Sequence, residues 1–184
     1  GISDMIRADD HEIPPKPRDI DTNEESRKAW RRAAALTHEK NRCAVGNRKS
    51  MEMTLWVAHK FADEEAIYFP HNLDFRGRVY PIPLYLHPQG SDAARALIHF
   101  ATPKPLGEDG AFWLALHGSG LFGYDKDSYE GRVRWVEDHA DQIMACASDP
   151  YSNRWWAEAD KPFCFLAFCF EWLGYMIQGA DYAS

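Results

Sequence analysis

The chain has 184 residues, of which 45% are hydrophobic and 14% aromatic, so its composition is that of one folded globular domain and not of a disordered segment. The first ten residues lack the charged start, apolar stretch and cleavage site of a secretory signal. The longest apolar run, Phe163 to Tyr175, is shorter than the roughly 20 residues of a membrane span. We therefore expect a cytoplasmic protein with no membrane partner, in which that run forms a core helix.

The net charge of −7 hides an uneven distribution along the chain. Residues 27–60 carry nine basic and two acidic side chains, a net charge of +7, so the remainder of the chain carries −14. Such an uneven charge distribution suits a protein in which one face binds phosphates while the rest of the surface keeps the protein soluble. A solvated helix face has the same composition, and charge alone leaves both interpretations open.

Two helices are predicted in the first third of the chain. Residues 11–21 precede them as an extended lead-in, because their three prolines cannot continue a helix. Thr22 and Glu25 have capping-box spacing, so the first helix is expected to begin there and to run to about Cys43. A Gly-Asn break at 46–47 then separates it from a second helix.

A small β element is predicted next, with strands at 66–69 and 78–81 on either side of a turn at 70–74. Pro81 and Pro83 have no amide hydrogen, which keeps the second strand short. Helical patterns return after Gly90. Four helices are predicted, from Asp92 through Phe100, from Glu108 to Gly123, from about Ser128 to Ala147, and from Pro162 to Gly179. The expected fold class is α+β, predominantly α-helical, a bundle-like assembly with one small β element.

No metal site is predicted in this chain. The four cysteines form no CxxC pair, which favours buried free thiols over zinc ligands or disulfides. The acidic run Asp63-Glu64-Glu65 points its side chains in different directions and is expected to solvate a helix end. His117 lies in an apolar helix and is interpreted as a hydrogen-bonded packing residue.

The most informative residues are Asp74-Phe75-Arg76-Gly77-Arg78, followed by Val79-Tyr80. Two arginines flank a glycine beside two aromatic rings, which supplies cations for phosphates, flat faces for stacking on bases, and a point where backbone can approach a ligand. Asp74 is placed to orient either guanidinium group. A surface turn closed by an Asp–Arg ion pair fits the same pattern.

The stretch from Tyr68 to Tyr80 resembles the DxxGR motif region of the phage T7-like and mitochondrial single-subunit RNA polymerases. Further segments resemble these enzymes in the same order: 88–90, 107–118, and 155–158 leading into 162–171. The resemblance covers about residues 30–182. It implies part of a polymerase right-hand fold, divided into an extended lead-in (1–21), thumb-base helices (22–62), the start of the palm with the DxxGR loop (63–106), and a helical palm insertion with a return helix (107–184).

The resemblance also implies a nucleic-acid site. Arg76 and Arg78 would bind phosphates of the RNA–DNA hybrid or template, and Phe75 and Tyr80 would stack on template bases, although Phe75 stands where the phage enzymes often have tryptophan. Asp74 and Gly77 would shape the loop. Two thumb residues, Arg48 and Lys49, would lie near the transcript.

The metal-binding aspartates of this family come after the segment that matches this chain, so no catalytic residue is assigned here. Mg²⁺ is expected in the complete polymerase, with no metal and no small-molecule cofactor held by this chain. The expected partners are the DNA template, the RNA transcript and the remainder of the polymerase, in the host cytoplasm if the source is a phage. The chain alone is predicted to be inactive. The alternative is a stand-alone, non-enzymatic module derived from a polymerase, which binds nucleic acid or protein.

Overall fold

The computed structural model describes residues 11–183, so the start of the predicted lead-in, residues 1–10, and residue 184 lie outside it. The chain divides into two compact units at the boundary between Lys60 and Phe61. The first unit is built on a single helix. The second contains a β-hairpin and five further α-helices, so the structure is predominantly helical with a small β element, as predicted.

Helix α1 (Glu24–Lys60) has 37 residues and is about 55 Å long at 1.5 Å per residue. Asn23 caps it in place of the predicted Thr22, because the Asn23 Oδ1 atom accepts hydrogen bonds from the amides of Glu25 (3.0 Å) and Ser26 (3.3 Å). The predicted break at 46–47 is wrong. A glycine inside a helix costs only about 1 kcal/mol, and the helical hydrogen bonds on both sides of Gly46 outweigh that cost.

The lead-in lies along the N-terminal half of α1. The backbone of His11 exchanges two hydrogen bonds with the side chain of Asn41, at 2.8 and 2.9 Å. The indole of Trp30 donates to the carbonyl of Pro14 at 2.8 Å, and the Lys16 ammonium lies over the Trp30 ring. Residues 11–17 form neither helix nor strand, as expected of the lead-in, and side chains of the helix hold them in place. The prediction of an extended chain through residue 21 is wrong for its last part, since residues 18–22 form a turn.

The second unit begins with strands β1 (His71–Leu73) and β2 (Val79–Pro81). Five helices follow: α2 (Asp92–Ala96), α3 (Gly107–Phe122), α4 (Tyr129–Asp138), α5 (Ala140–Ser148) and α6 (Pro162–Gln178). Two short 3₁₀ turns, Trp155–Glu158 and Gly179–Asp181, precede and follow α6. As predicted, α3 ends at Gly123, which has a left-handed φ of 112°, and α6 begins at Pro162.

Two helix predictions are corrected. Helix α2 ends at Ala96 and not at Phe100, because Leu97 and Phe100 lie outside the core and gain no packing. The helix predicted at 128–147 is two helices that meet at His139. The His139 ring hydrogen-bonds the carbonyl of Trp135 (2.7 Å) and stacks on the rings of both Trp135 and Trp155, and these contacts hold the backbone away from helical geometry.

Helix α6 is the centre of the second unit, since α2, α3, α5 and both 3₁₀ turns pack against it. Four of its side chains are buried: Phe165, Phe168, Cys169 and Trp172. Burial of side chains of this size contributes about 1.5–3 kcal/mol each to stability. Among the described residues, 162–181 is also the one helical stretch with the length and composition to cross a membrane. The predicted apolar run Phe163–Tyr175 lies inside this longer stretch, and four of its side chains are buried in the second unit.

The cysteines are free thiols, as predicted, although Cys43 is exposed on α1. Burial, together with a hydrogen bond to Asp92, raises the pKa of Cys164 to about 12. Burial also raises the pKa values of Cys146 and Cys169. These three thiols therefore stay protonated at neutral pH and serve as packing groups.

Helices α3 and α6 approach closely because Gly118 has no side chain. A Cβ atom at Gly118 would overlap the ring of Phe168, which is 2% exposed and has packed neighbours on its other sides. At Gly120, on the same helix, a Cβ atom would meet only the tip of the Arg132 guanidinium, at 3.1 Å. The two glycines therefore differ in how well they tolerate a methyl group.

Gly118→Ala is expected to lower the free energy of unfolding of the second unit by about 1–3 kcal/mol, because the Phe168 ring must be displaced within a close-packed core. Gly120→Ala is the comparison variant and should cost less, because the atom in its way is the end of the Arg132 side chain, which hydrogen bonds to Ser119 and Leu116 hold in place, and not a ring packed in the core. Urea denaturation followed by tryptophan fluorescence measures both. Equal stability of the two variants would contradict the close approach of α3 and α6.

Candidate nucleic-acid interface

The DxxGR residues form the loop of a β-hairpin. Strands β1 and β2 are antiparallel, with Leu73 opposite Val79, Asn72 opposite Tyr80 and His71 opposite Pro81. The first strand therefore lies where a turn was predicted, and the predicted strand at 66–69 is wrong. The second strand ends at Pro81, as the prolines predicted. The turn residues are 74–78, because Asp74 and Arg78 close the loop through an amide–carbonyl hydrogen bond of 2.9 Å.

The Asp74 carboxylate organises this loop. Its Oδ1 atom accepts hydrogen bonds from the backbone amides of Arg76 (2.8 Å) and Arg78 (2.9 Å). Its Oδ2 atom accepts from Nε and Nη2 of the Arg76 guanidinium, at 3.0 and 2.9 Å. The amide of Arg78 is the main cause of the lowered pKa of Asp74, and Arg76 lowers it further, partly offset by desolvation. Asp74 therefore stays ionised and holds the loop, as predicted.

Gly77 supplies the backbone conformation that closes the hairpin. Its φ of 77° lies in the left-handed region, and its amide donates to the carbonyl of Asp74 at 3.0 Å. A three-residue loop with glycine at this position is a common way to join two antiparallel strands. No atom lies within 4 Å of a Cβ built on Gly77, so the backbone conformation, and not space, requires glycine here.

The two arginines of the loop are not equivalent. Arg76 is held by Asp74, and its guanidinium also lies 5.3 Å from the centroid of the Phe75 ring. Arg78 is exposed, and among residues 11–183 its guanidinium has no hydrogen-bond or ion-pair partner. A cation in water without an internal partner remains available to a phosphate, whereas Arg76 would first have to leave Asp74 or bind with its remaining donors.

The two aromatic residues of the motif are exposed to different extents. Phe75 at the tip of the loop is 97% exposed, and Tyr80 on β2 is 41% exposed. A side chain as apolar as phenylalanine gains nothing from full contact with water, which makes the loop tip a surface suited to stacking. The neighbouring strand residues are also exposed, apart from the half-buried Pro81.

Sequence reasoning missed the contribution of Gln89. Its side-chain amide donates to the carbonyl of Val79 at 3.3 Å and so ties β2 to the segment that enters α2. The Pro-Gln-Gly triplet at 88–90 marked this position in the resemblance, but it gave no role for the side chain. The contact links the hairpin to the helical part of the second unit.

Arg48 and Lys49 belong to the other compact unit, on helix α1. Lys49 is exposed and Arg48 is half-buried. Nearby Arg42 pairs with Glu39, and Lys28 pairs with Glu24 at 2.9 Å, so part of the basic stretch forms the ion pairs of a solvated helix. The role of Arg48 and Lys49 beside the transcript stays a prediction.

The described part of the chain offers no group of three or more His, Cys, Asp or Glu side chains that could hold a metal ion. Asp63, Glu64 and Glu65 are exposed after the end of α1. These residues do not fit a two-metal polymerase site, which needs convergent carboxylates.

The chain is similar in sequence to known RNA polymerases. The sequence model of the DNA-dependent RNA polymerase family matches residues 104–184. The DNA-directed RNA polymerase of Enterobacteria phage T3 is 47% identical, and T7 RNA polymerase of Escherichia phage T7 is 44% identical, each over 98% of this chain. DNA-directed RNA polymerase 2, chloroplastic/mitochondrial, of Nicotiana sylvestris is 40% identical over 91% of it. The chain spans 20% of the length of the two phage enzymes and 17% of the plant enzyme.

These matches define the chain as a segment of a DNA-directed RNA polymerase. More narrowly, it belongs to the single-subunit family that includes the phage T3 and T7 enzymes. The resemblance that the DxxGR region and the following segments indicated is confirmed.

Protonation of Asp74 should loosen the loop. Because hydrogen bonds lower its pKa, the carboxylate stabilises the loop fully above the ordinary carboxyl pKa of about 3.9, and this stabilisation is lost as the pH falls through the lower pKa of the folded loop. The amide resonances of Arg76 and Arg78 should therefore shift together with a midpoint below about 3.9 in an NMR titration.

Asp74→Asn is the control, since the amide oxygen still accepts from both backbone amides but does not titrate. The same two resonances should then show no transition in the acid range. A midpoint at or above the ordinary value in the unmodified chain would contradict the role of Asp74.

Proposed function

We propose that this chain is the part of a DNA-directed RNA polymerase that grips the template and the RNA–DNA hybrid through the hairpin loop 74–78. The observation that carries the proposal is the exposed guanidinium of Arg78, which has no partner among residues 11–183 and is held at the turn of a loop that Asp74 and Gly77 shape. Arg78 contacts a backbone phosphate, and Phe75 stacks on or wedges against a template base.

Arg76 has a different role from Arg78 in this proposal. Its pairing with Asp74 fixes the loop, and its position over the Phe75 ring limits the directions that ring can take. Arg76 therefore presents Phe75 to the nucleic acid, and any phosphate contact uses the guanidinium donors that Asp74 leaves open. Tyr80 supplies a second ring beside the loop.

The chemistry of nucleotide addition is assigned to the remainder of the polymerase. Mg²⁺ and its carboxylate ligands come from that remainder, because the residues described here do not fit the site, and this chain alone makes no RNA. Its partners are then the DNA template, the transcript and the rest of the polymerase, acting in the cytoplasm of a host cell.

A complementation assay tests the assignment. The chain is combined with a polypeptide that supplies the rest of a phage-type polymerase, and RNA synthesis on a DNA template is measured with Mg²⁺ present. Synthesis is expected from the combination and from neither part alone. RNA synthesis by the chain alone would contradict the assignment of nucleotide addition to the remainder of the polymerase. If the two parts associate but the combination makes no RNA, the result favours a stand-alone binding module.

Arg78→Ala in the combined polymerase is expected to weaken binding of a short labelled RNA–DNA hybrid about tenfold, because a charge-assisted contact to phosphate is lost. The slope of log affinity against log salt concentration should also fall by about one. Fluorescence anisotropy at several salt concentrations measures both quantities.

Arg154→Ala is the matched control for charge. Arg154 donates to the carbonyl of Tyr151 and lies far along the chain from the hairpin. Its removal should leave the affinity and the salt slope unchanged. If Arg78→Ala behaves like this control, the central contact of the proposal does not exist.

A further inference from the structure

A second group of basic side chains lies in the helical part of the second unit. It consists of Arg95 on α2, His117 on α3 and Lys161, the residue before α6. His117 and Lys161 are exposed, and the Arg95 side chain is 37% exposed. Three segments that are distant in sequence thus bring positive or protonatable groups to one surface. None of them belongs to the hairpin.

Backbone contacts hold the three residues together. The Asp92 carboxylate accepts from the amides of Phe163 (2.7 Å) and Cys164 (3.2 Å), so α2 is fixed to the first turn of α6. The amide of Lys161 donates to the carbonyl of Leu121 at 3.1 Å, which fixes the start of α6 to the end of α3. These hydrogen bonds, and not contacts among the three side chains, therefore fix where Arg95, His117 and Lys161 lie.

The cluster is short of negative partners. The Asp92 carboxylate accepts hydrogen bonds from two amides, and Nη2 of Arg95 lies 4.0 Å from its Oδ1 atom, within ion-pair reach but beyond hydrogen-bond distance. The Nε atom of Arg95 is buried without a partner. Within residues 11–183, neither the Lys161 ammonium nor the His117 ring has a hydrogen-bond or ion-pair partner, which corrects the prediction that His117 is a hydrogen-bonded packing residue.

The three groups are close enough to affect one another. His117 lies at the surface, but its neighbours remove part of the ring from water, and this desolvation lowers its pKa. The positive charges of Lys161 and Arg95 lower the pKa further. The Asp92 carboxylate, 4.0 Å from Arg95, offsets part of this positive charge, and a phosphate placed among the three groups would offset the rest. The arrangement combines the planar guanidinium of Arg95, the ammonium charge of Lys161, and the imidazole of His117, which can donate or accept a hydrogen bond.

We propose that Arg95, His117 and Lys161 form a second phosphate-binding site of the polymerase, separate from the hairpin loop. The ligand is a phosphate group, either of a nucleic-acid backbone or of the triphosphate of an incoming nucleotide, because both present the same oxygens. Arg95 and Lys161 supply the charge, and His117 supplies one further hydrogen bond. The proposal rests on the proposed function, since a polymerase is what brings these phosphates to the chain.

The test uses the combined polymerase carrying Arg95→Gln and Lys161→Ala together. If the ligand is a backbone phosphate, affinity for a labelled RNA–DNA hybrid should fall about tenfold or more, and the salt slope should fall by about one to two. If the ligand is the nucleotide, hybrid affinity should stay the same while KM for ATP rises about tenfold. Either result supports the site, and no change in both quantities overturns it.

Two further measurements separate binding from folding. Lys161→Glu should change the affected quantity, either hybrid affinity or KM for ATP, more than Lys161→Ala does, because it adds a repulsive charge and does not only remove an attractive one. The thermal unfolding midpoints of both Lys161 variants should stay unchanged. In the unmodified 184-residue chain, the His117 ring resonances should shift on addition of the hybrid or of ATP. A His117 signal that ignores both probes contradicts the proposal.

Failure of this site and failure of the hairpin proposal are distinguishable. Arg78→Ala tests the hairpin alone, and the double variant leaves every residue of the hairpin in place. Hybrid binding that depends on Arg78 but not on Arg95 and Lys161, with an unchanged KM for ATP, removes only the second site. The reverse pattern removes only the hairpin contact.

Discussion

The helical part of this chain depends on the contact between the Phe168 ring and Gly118. Because residue 118 has no side chain, α3 can lie close to α6, and the buried face of α6 meets neighbours on several sides. The close approach also determines where the surface residues go. His117 is next to Gly118, and Lys161 is fixed by the end of the same helix, so packing in the core sets the spacing of charges outside it.

In the hairpin a polar interaction has the corresponding role. One carboxylate, Asp74, accepts hydrogen bonds from two backbone amides and one guanidinium. Because that guanidinium belongs to Arg76, the guanidinium of Arg78 has no partner within residues 11–183. The sequence Arg-Gly-Arg is nearly symmetric about Gly77, but the folded loop is not. An exposed ion pair contributes little to stability, so the value of this one lies in the geometry that it gives to the two cations and the ring between them.

Much of this organisation could be predicted from the sequence, and the failures have physical causes. The ends of α3 and α6 followed from glycine and proline, whose backbone preferences are strong and local. The break expected at Gly46 failed because a weak local preference lost to the hydrogen bonds of a long helix. The different roles of Arg76 and Arg78 depend on the side of the turn that each occupies. The cluster around Arg95 comes from three separate segments, and no local pattern brings these together.

The prolines of the hairpin also limit which strands can pair with its β2 edge. Since Asp74–Arg78 and Pro70–Ile82 are the hydrogen-bonded pairs, Val79 and Pro81 direct their backbone groups to the outer edge of β2. The carbonyl of Val79 is already taken by Gln89, and Pro81 has no hydrogen to donate. On that side, a third strand would find only the amide of Val79 and the carbonyl of Pro81 to pair with. The β2 edge of the ribbon is therefore a poor template for a further strand, even though the apolar loop tip faces water.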